Sequence, residues 1–377
     1  MLSFWEKDSY YANTDVIIIG AGLMGLWSAL ELKKQRPSLS ITIVERNSTP
    51  LGASTRNAGF ACFGSLTELL FDEAKLGTNA MLDILEARFK GIQKIKSHFS
   101  AETIQFDSCG GYEAIPGSHA TAANLDDHIQ TLNQLLSPIT KLDQTFTNQT
   151  AEMRKIGLKN FDHLVGNVLE AGIHSGKLVN ALSKLVMEKG VTILYGLEVK
   201  DWESERNGVQ IQMQNGLKLC ANQLICCVNG FTQQLIPSLN IVPARGQIIL
   251  TNAFEHLTMK GTFHYDEGFY YWRNLGNRIL IGGARNLDFK EEETTDLSGT
   301  EKIRTHLLDF LRQHIVTHEN IVMDQYWSGI MGFTPTKEPL IEEVAPNIFA
   351  AIACNGMGVA LTPVMAEKLA IQVMANV

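Results

Sequence analysis

The sequence contains no segment rich in lysine and arginine, and its 40 acidic residues outnumber 32 basic ones, giving a net charge of −8. Proteins that bind nucleic acid need a basic surface, so no nucleic-acid partner is expected. The six cysteines form no C-x-x-C pair and no evenly spaced series, which favours reduced thiols in a cytoplasmic protein. Repeats and low-complexity segments are also missing from the sequence.

Hydrophobic runs long enough to span a bilayer are missing too. Residues 16–30 come nearest to a signal-peptide core, but three glycines interrupt them, and Asp8 and Asp15 precede them where basic residues are required. We therefore expect neither a signal peptide nor a transmembrane segment. At 377 residues the chain is too long for one compact core, so two domains are expected.

A glycine motif directly after a buried strand is the strongest signal that the sequence does contain. Residues 16–19 form a continuous apolar run, the pattern of a strand that is covered on both faces. The motif that follows consists of Gly20, Ala21, Gly22, Leu23, Met24 and Gly25. Its glycines permit a tight turn, a close backbone approach to a pyrophosphate, and close packing of the next helix. A helix beginning at about Leu23 would direct its first N–H groups at the anion.

A second apolar run, residues 41–44, reads as the next strand, and Glu45 closes it. An acidic residue at the carboxyl end of this strand is placed to bind a ribose 2′-hydroxyl. Strand, glycine turn, helix, second strand and acid occur in the order that dinucleotide binding requires. The sequence therefore predicts a dinucleotide site.

Pieces of β-α-β pattern occur at the start, middle and end of the chain, and strand-rich segments of antiparallel pattern lie between them. The predicted fold is α/β: a Rossmann-like domain assembled from residues 1–80, 150–235 and 325–377, with an inserted, mostly antiparallel sheet domain of residues 81–149 and 236–324. Local patterns predict one helix over residues 66–98, a strand over 103–106, and separate strands over 217–220 and 224–228.

Four stretches of sequence resemble one flavoprotein family. They are GAGLMG with Glu45 and Arg46, the loop GASTRNAGF of residues 52–60, the strand glycines Gly282 and Gly283 after Gly246-Gln247, and a final Thr334-Pro335 step followed by NGMGV of residues 355–359. Together these stretches are similar to the D-amino-acid-oxidase-type (DAO) family of FAD-dependent oxidoreductases, which includes glycine oxidase, sarcosine oxidase and D-amino-acid dehydrogenase. The loop and residues 271–283 look most similar to its γ-glutamylputrescine oxidase branch.

This resemblance implies FAD as the cofactor. Two departures from covalently flavinylated members indicate that it is bound non-covalently: Gly329 stands near their linking cysteine, and residues 46–63 contain no histidine. A helix begun by the last glycine turn would stabilise negative charge on a reduced flavin. Besides the first motif and Glu45, the resemblance assigns to FAD the residues Arg46, Ser54, Thr55, Arg56, Asn57, Ala58, Gly59, Val199, Asn229, Gly230, Gly356, Met357, Gly358 and Val359.

The expected substrate site departs from the family pattern. Met331 and Gly356 stand where several members carry arginines that bind a substrate carboxylate, and Leu280 replaces a lysine that assists oxygen in sarcosine-oxidase-like members. The resemblance offers Arg285 as a substitute anion-binding residue and Tyr270 as a tyrosine that lines the substrate pocket. An alternation of residues 279, 281, 283 and 285 on one strand face would bring Arg285 to that pocket.

The predicted reaction is oxidation of a C–N bond in a small amine or amino acid, with oxygen or an electron carrier as acceptor, and the replaced lysine favours a carrier. Two alternatives stay open at this stage. One is a 2-hydroxy-acid or polyol dehydrogenase on the same fold, with His264 as a candidate base. The other is a flavin-bearing subunit that binds within a complex. No metal site is predicted, because His314 and His318 lack a third ligand in sequence.

Overall fold

The computed structural model describes residues 1–206, 208–336, 338–352 and 354–375. The chain divides into two compact units. The first unit contains Met1–Arg56, Ser175–Ala244 and Ile330–Val377, and the second contains Asn57–His174 and Arg245–Gly329. Each unit is therefore assembled from segments that are distant in sequence.

The helices are spread over both units. They are α1 (Phe4–Ser9), α2 (Leu23–Gln35), α3 (Ala53–Arg56), α4 (Leu66–Leu76), α5 (Thr78–His98), α6 (Ala101–Ile104), α7 (Leu125–Thr140), α8 (Ser175–Glu188), α9 (Phe289–Glu292), α10 (Glu301–His314) and α11 (Gly358–Ala375). Short 3-10 helices span Ala120–Asn124, Thr150–Glu152, Asn229–Gln234 and Arg285–Leu287.

The three sheets of the described residues are formed by short and long strands. They are β1 (Thr14–Ile19), β2 (Ile41–Glu45), β3 (Phe60–Ala61), β4 (Gly111–Ile115), β5 (Phe146–Asn148), β6 (His163–Asn167), β7 (Ala171–Gly172), β8 (Thr192–Tyr195), β9 (Val199–Glu205), β10 (Gly208–Met213), β11 (Lys218–Cys226), β12 (Val242–Thr251), β13 (Thr262–Tyr265), β14 (Tyr270–Leu275), β15 (Arg278–Gly283), β16 (Met323–Phe333), β17 (Leu340–Ala345) and β18 (Ile348–Ile352).

The first unit is built on a largely parallel sheet in the order β17-β18-β11-β1-β2-β8, with the hairpin β9-β10 attached to β11. Strand β1 lies in its centre, and Ile18 is level with Ile225 on one side and with Ile43 on the other. Its last four residues are buried because helices cover the sheet. Helix α2 packs against both α8 and α11. The α/β class and the Rossmann-like arrangement are thus confirmed.

The second unit carries an eight-stranded sheet in the order β16-β12-β15-β14-β13-β4-β6-β5. Its pairs are antiparallel from β12 through β13 and from β4 through β5, with one parallel pair between β13 and β4. Residues on one face, among them Phe263, Trp272 and Ile281, pack with Leu307 and Phe310 of α10 into a single core. The mostly antiparallel second sheet is therefore confirmed, and α10 covers one of its two faces.

Residues 236–244 lie in the first compact unit and residues 325–329 in the second, contrary to the predicted domain bounds. The larger differences are residues 57–80 and 150–174, which also lie in the second unit. The short ladder β3-β7 joins these two segments, and the Asn167 side-chain amide donates a hydrogen bond to the Gly64 carbonyl at 2.8 Å. This pairing could not be predicted from the sequence, because a two-residue strand is too short to show a periodic pattern.

Three local predictions were wrong. The strand expected at residues 103–106 is the end of helix α6, begun by the Ser100 side chain, which accepts a hydrogen bond from the Thr103 N–H. The helix expected over 66–98 breaks at Gly77, whose φ of +86° ends α4. The two strands expected between 217 and 228 are the single strand β11. The sequence pattern also predicts a strand over 348–353 and a helix from the last glycine turn to residue 377, and residues 353, 376 and 377 of these lie outside the described residues.

Helix α11 is long and apolar enough to cross a membrane by length and composition alone, with a mean hydropathy of 1.2. Ten of its residues are buried, and it packs against α2 in the core of the first unit. Its apolar character is accounted for by this burial.

The start of β1 is tied to the start of β2 through Asp15. Its carboxylate accepts hydrogen bonds from the Ser40 N–H at 2.8 Å and the Ser40 hydroxyl at 2.7 Å, and these lower the pKa of Asp15. Because the folded-state pKa is depressed, this stabilisation is present above the ordinary value of 3.8 and is lost as pH falls through the folded pKa. We expect Asp15→Asn to lower the free energy of unfolding at pH 7 by about 0.5–1 kcal/mol.

Urea unfolding of the wild type and of Asp15→Asn at several pH values measures this difference. The gap between the two proteins should close as the pH falls below 3.8. A gap that stays constant with pH would show that the Asp15 charge does not stabilise the fold.

Candidate cofactor and substrate sites

The predicted dinucleotide motif forms the turn between β1 and α2. Gly20 has φ +103°, a conformation open to glycine, and Gly22 caps α2 without a side-chain hydrogen bond. A Cβ atom on Gly25 would lie 2.0 Å from the Gly20 carbonyl oxygen, so only glycine fits this crossing. The turn therefore leaves the N-terminal N–H groups of a buried helix without a side-chain cap from the N-cap residue, which is the arrangement that binds a pyrophosphate.

Glu45 lies at the carboxyl end of β2, as predicted, and is buried. One oxygen of its carboxylate accepts a hydrogen bond from the Ala21 N–H at 3.1 Å, and the other accepts from the N–H of Asn47. The acid is thus held against the glycine turn. We name residues 20–25 together with Glu45 the nucleotide cradle.

Ser54, in helix α3, reaches the cradle. Its hydroxyl oxygen accepts a hydrogen bond from the Leu23 N–H at 2.9 Å, and a Cβ on Gly22 would come within 2.9 Å of the same oxygen. Thr55 and Arg56 donate to the carbonyl oxygens of Pro50 and Leu51, which fixes the loop before α3. Of the three, Ser54 is the side chain whose contact with the cradle the structure shows directly.

The rest of the predicted flavin loop, residues 57–59, belongs to the second unit. The Asn57 side chain accepts a hydrogen bond from the Gly59 N–H at 2.9 Å, and Ala58 is buried. The buried Arg273 guanidinium donates to the carbonyl oxygens of Gly59 and Ile173. Sequence analysis did not identify this role of Arg273, because its partners are backbone atoms of two distant segments.

Four further residues assigned to FAD lie in the first unit. The Arg46 guanidinium lies 3.9 Å from the centre of the Phe231 ring, and Val199 is packed in the core under the sheet. Asn229 accepts a hydrogen bond from the Gly332 N–H, and a Cβ on Gly230 would come within 2.7 Å of the Met331 carbonyl oxygen. Asn229 and Gly230 thus support the end of β16, and a direct contact with the cofactor stays a prediction for all four.

The C-terminal glycine turn also adopts the expected form. Gly356 has φ +88°, Met357 donates its N–H to the Cys354 carbonyl oxygen, and α11 begins at Gly358 with Val359 buried behind it. A Cβ on Gly356 would lie 3.8 Å from the Met331 sulfur. The two positions at which related enzymes were expected to carry arginines are therefore neighbours here, and an uncharged thioether is found beside the glycine.

These features fit an FAD dinucleotide. A Cβ on Gly20, Gly22 or Gly25 would clash with Cys227, Ser54 or Gly20, so glycine is required at all three positions of the turn. The turn leads into the N-terminus of α2 and lies beside the buried Glu45 carboxylate, the two groups that would hold a pyrophosphate and a ribose hydroxyl. The donors and the acceptor match the chemistry of the group, and Ser54, which accepts from the Leu23 N–H, would lie beside the phosphates.

Tyr270 lies on the face of the second sheet that α10 covers, whereas the prediction placed it in the substrate pocket. It pairs with Tyr265, its ring stacks on Phe310 at 4.9 Å, and its hydroxyl is 2.9 Å from Nε2 of His306. The side chain is therefore part of the core under α10. Burial raises its pKa to about 12. The proposed substrate role of Tyr270 is corrected on this ground, since packing against α10 occupies the ring.

Tyr271 points to the opposite face, as its neighbours in the sheet show. It pairs with His264 and Gly282, and a Cβ on Gly282 would come within 2.4 Å of its ring. Its ring makes an edge contact with Phe60, and burial raises its pKa to about 12, although the nearby Arg285 charge lowers it. We name the side of the sheet that carries Tyr271, His264 and Leu280 the Tyr271 face.

Arg285 does not lie on a strand, contrary to the alternation predicted for residues 279–285. Strand β15 ends at Gly283, and Ala284 adopts a left-handed conformation with φ +58° before the 3-10 turn Arg285–Leu287. Strand alternation would have placed Arg285 with Ile279 and Ile281, in the core under α10. The turn instead brings its guanidinium within 5.4 and 5.1 Å of the Phe269 and Phe289 ring centres, and its charge lowers the pKa of Tyr271.

His264 lies level with Tyr271 and is buried. Its Nε2 is hydrogen-bonded to the Glu170 carboxylate. Burial lowers the pKa of the imidazole, but the Glu170 charge and the hydrogen bonds to Cys62 and Glu170 together outweigh this effect, and the pKa stands well above its ordinary range. A ring held in this way is poorly suited to accept a proton from a substrate hydroxyl.

The chain matches the sequence profile of the DAO family, described as FAD dependent oxidoreductase, over residues 15–371. It belongs to this family and is an FAD-dependent oxidoreductase.

Relatives and solved structures agree with this assignment. The chain is 21% identical to "Probable oxidoreductase OrdL" of Rhizobium meliloti, over 93% of this chain and 80% of the relative. It is 24% identical to L-2-hydroxyglutarate dehydrogenase of Escherichia coli, over 81% of this chain and 74% of the relative. The structure of glycine oxidase from Geobacillus kaustophilus superposes with a TM-score of 0.75 at 19% identity, covering 97% of this chain and 95% of the other.

Proposed function

We propose that this protein oxidises the C–N bond of an amine or amino acid that carries a negatively charged group. The observation that supports this proposal is the Arg285 guanidinium in the turn after β15, which lies over the Phe269 and Phe289 rings and whose charge lowers the pKa of Tyr271. The resemblance places Met331 and Gly356, which are neighbours in the first unit, where family members carry carboxylate-binding arginines. In this proposal the substrate anion is therefore bound by Arg285 of the second unit.

The surroundings of Arg285 suit an anion that is partly shielded from water. The guanidinium lies near the rings of Phe269 and Phe289, and burial lowers its pKa. Aromatic rings occupy the flat faces of a guanidinium and leave hydrogen bonding to its edges, where a carboxylate binds in a bidentate manner. In this proposal Arg285 orients the substrate, and the Tyr271 hydroxyl donates a second hydrogen bond to it.

The first unit would hold FAD through the cradle, Ser54 and the start of α11. When bound, FAD supplies a two-electron acceptor for the hydride on the carbon that bears the amine. The substrate amine must be neutral for its electron pair to assist this loss, and the resulting imine is hydrolysed by water. No side-chain base is required, and the task of the protein residues is to orient the substrate.

Adjacent tyrosines allow a matched test of the face assignment. Tyr271→Phe removes a hydroxyl from the Tyr271 face and should lower kcat/KM about tenfold, the effect of losing one hydrogen bond of about 1.4 kcal/mol. Tyr270→Phe removes only the hydrogen bond to His306 and should cost about 1 kcal/mol of stability with unchanged kinetics. Steady-state kinetics together with urea unfolding of both variants measure this contrast, and the reverse result would contradict it.

An electron carrier, rather than oxygen, is the proposed acceptor. Leu280 is buried and lies on the Tyr271 face, paired with Arg273. The resemblance places it where sarcosine-oxidase-like members carry an oxygen-assisting lysine. A cation there would stabilise negative charge as oxygen is reduced. We expect Leu280→Lys to raise the rate of oxygen consumption about tenfold relative to dye reduction, with Leu280→Met as the uncharged control. Fast oxygen consumption by the wild type would contradict the choice of a carrier.

Oxidation of a 2-hydroxy acid is the second candidate, favoured by the similarity to L-2-hydroxyglutarate dehydrogenase and by His264 on the Tyr271 face. The hydrogen bond from His264 to Glu170 argues against a free base there.

A dye-coupled assay with matched pairs separates the two candidates. Each pair combines an amino acid with the 2-hydroxy acid of the same carbon skeleton, for example glutamate with 2-hydroxyglutarate. Secondary amines and acylated polyamines extend the panel. Release of ammonia or of a smaller amine together with an oxo product would support C–N oxidation. Turnover confined to the hydroxy acids would replace the proposal with the second candidate.

We also propose a cytoplasmic location for the enzyme. All six cysteines are free, as expected in a reducing compartment, and the one described helix apolar enough for a membrane is largely buried in the first unit. Fractionation of cells that express the tagged protein would test this location.

A further inference from the structure

Three potential metal ligands from three separate segments meet inside the second unit. Strand β3 pairs with β7 so that Ala61 lies opposite Ala171, and the same register brings Cys62 opposite Glu170. His264 arrives from β13. One ligand atom of each residue, the thiol sulfur, a carboxylate oxygen and a ring nitrogen, lies within 4.8 Å of the other two.

The three side chains are buried together, each less than a tenth exposed. The Cys62 sulfur lies 3.9 Å from the Glu170 carboxylate, and Nε2 of His264 is hydrogen-bonded to the other oxygen of that carboxylate. In a tetrahedral zinc site, metal–ligand bonds of about 2.0–2.3 Å place neighbouring ligand atoms about 3.3–3.8 Å apart. The observed cluster needs only small side-chain movements to reach this geometry.

The neighbouring carboxylates are already engaged elsewhere. Glu68 pairs with Arg88 at 2.9 Å, and Glu113 accepts hydrogen bonds from the backbone N–H and the hydroxyl of Thr67. Glu170 is thus the carboxylate directed at Cys62 and His264. A thiolate and a carboxylate together carry two negative charges, which a divalent cation neutralises in a buried place where unpaired charge is costly.

We propose that Cys62, Glu170 and His264 form a binding site for a divalent zinc-type metal ion. Thiolate, imidazole and carboxylate together are the donor set that zinc prefers, and three protein ligands leave a fourth position for water. Binding releases the thiol proton and the proton shared by His264 and Glu170 to solvent, and no electrons are transferred. The ion would tie the β3-β7 ladder to the eight-stranded sheet, beside Phe60, whose ring makes an edge contact with His264 at 5.3 Å.

Metal content of the FAD-loaded enzyme tests this site without reference to the substrate. The protein is dialysed against zinc, then against metal-free buffer, and its zinc is measured by mass spectrometry. We expect equimolar zinc to be retained. Exchange with cobalt should give intense tetrahedral ligand-field bands at longer wavelengths than oxidised flavin absorbs. These bands report the thiolate-containing site directly in the wild-type protein, so the test does not depend on any variant folding.

Variants then assign the ligands. Cys62→Ser and His264→Gln should each retain less than about a tenth of the wild-type zinc, since loss of a ligand weakens binding strongly. Cys109→Ser, a free cysteine in the same unit, is the matched control and should retain it all. A folded, FAD-loaded wild type that keeps no zinc and shows no cobalt bands would overturn the proposal. Equal retention by Cys62→Ser would overturn it as well, by showing adventitious surface binding.

Discussion

Replacing Gly25 with alanine is expected to weaken FAD binding about 100-fold and to lower turnover when FAD is limiting. The new Cβ would lie 2.0 Å from the Gly20 carbonyl oxygen, a distance that no real side chain adopts. Helix α2 must therefore move away from the turn, and its first N–H groups move with it. Crowding of this kind costs about 1–3 kcal/mol, so the dissociation constant for FAD should rise about 100-fold.

A second glycine in the same unit provides a control for simple destabilisation. A Cβ on Gly208 would lie 2.3 Å from the Ala221 carbonyl oxygen, so Gly208→Ala crowds the β10-β11 pair to a similar degree. Titration of each apoprotein with FAD, beside urea unfolding, separates the two effects. The account predicts that Gly208→Ala loses stability and keeps its affinity for FAD. Equal loss of affinity in both variants would show that the cradle geometry is not what binds the cofactor.

Replacing Arg285 with methionine is expected to lower kcat/KM for an anionic amine about 100-fold while FAD stays bound. Hydrogen bonds to charged groups contribute about 1.5–3 kcal/mol, and the upper value applies to a bidentate contact that is partly shielded from water. Methionine keeps the length of the side chain and its packing near Phe269 and Phe289. The loss should therefore be confined to recognition of the substrate anion.

Arg278→Met is the matched control for this prediction. Arg278 also lies on β15, but it donates to the Thr251 carbonyl oxygen and pairs with Asp324 near the surface. Its removal should leave the kinetics unchanged. Steady-state kinetics with an anionic amine and with its neutral ester completes the test, because the ester should respond little to Arg285→Met. Unchanged kinetics of Arg285→Met with the anionic substrate would remove the central support for the proposed substrate class.

Much of the first unit could be predicted from sequence, because its signals are local. A buried strand, a glycine turn, a helix and a closing acid follow one another within residues 14–45, and the structure places them as expected. The steric need for Gly25 is likewise visible in the spacing of the motif.

The substrate site was harder to predict because its side chains are placed by the face of a sheet and by one backbone turn. Alternating residues identify the two faces of a strand, but sequence does not say which face α10 covers. Tyr270 and Tyr271 are therefore equivalent in the sequence and opposite in the structure. The left-handed Ala284 is an equally hidden feature, since alanine carries no signal for positive φ.

The buried cluster of Cys62, Glu170 and His264 was missed for a different reason. Its members are separated by about a hundred residues in each step, so no ligand spacing of the kind found in zinc motifs exists. Only the pairing of β3 with β7 brings two of them together, and that ladder is two residues long.

Anaerobic reduction of the bound flavin tests the central claim most directly. The wild-type FAD-loaded enzyme is titrated without oxygen with an anionic amine and with the 2-hydroxy acid of the same skeleton, and the visible flavin absorbance is followed. The account predicts bleaching by a member of the amine series and none by its hydroxy counterpart. Bleaching by hydroxy acids alone, or by no amine in the panel, would contradict it.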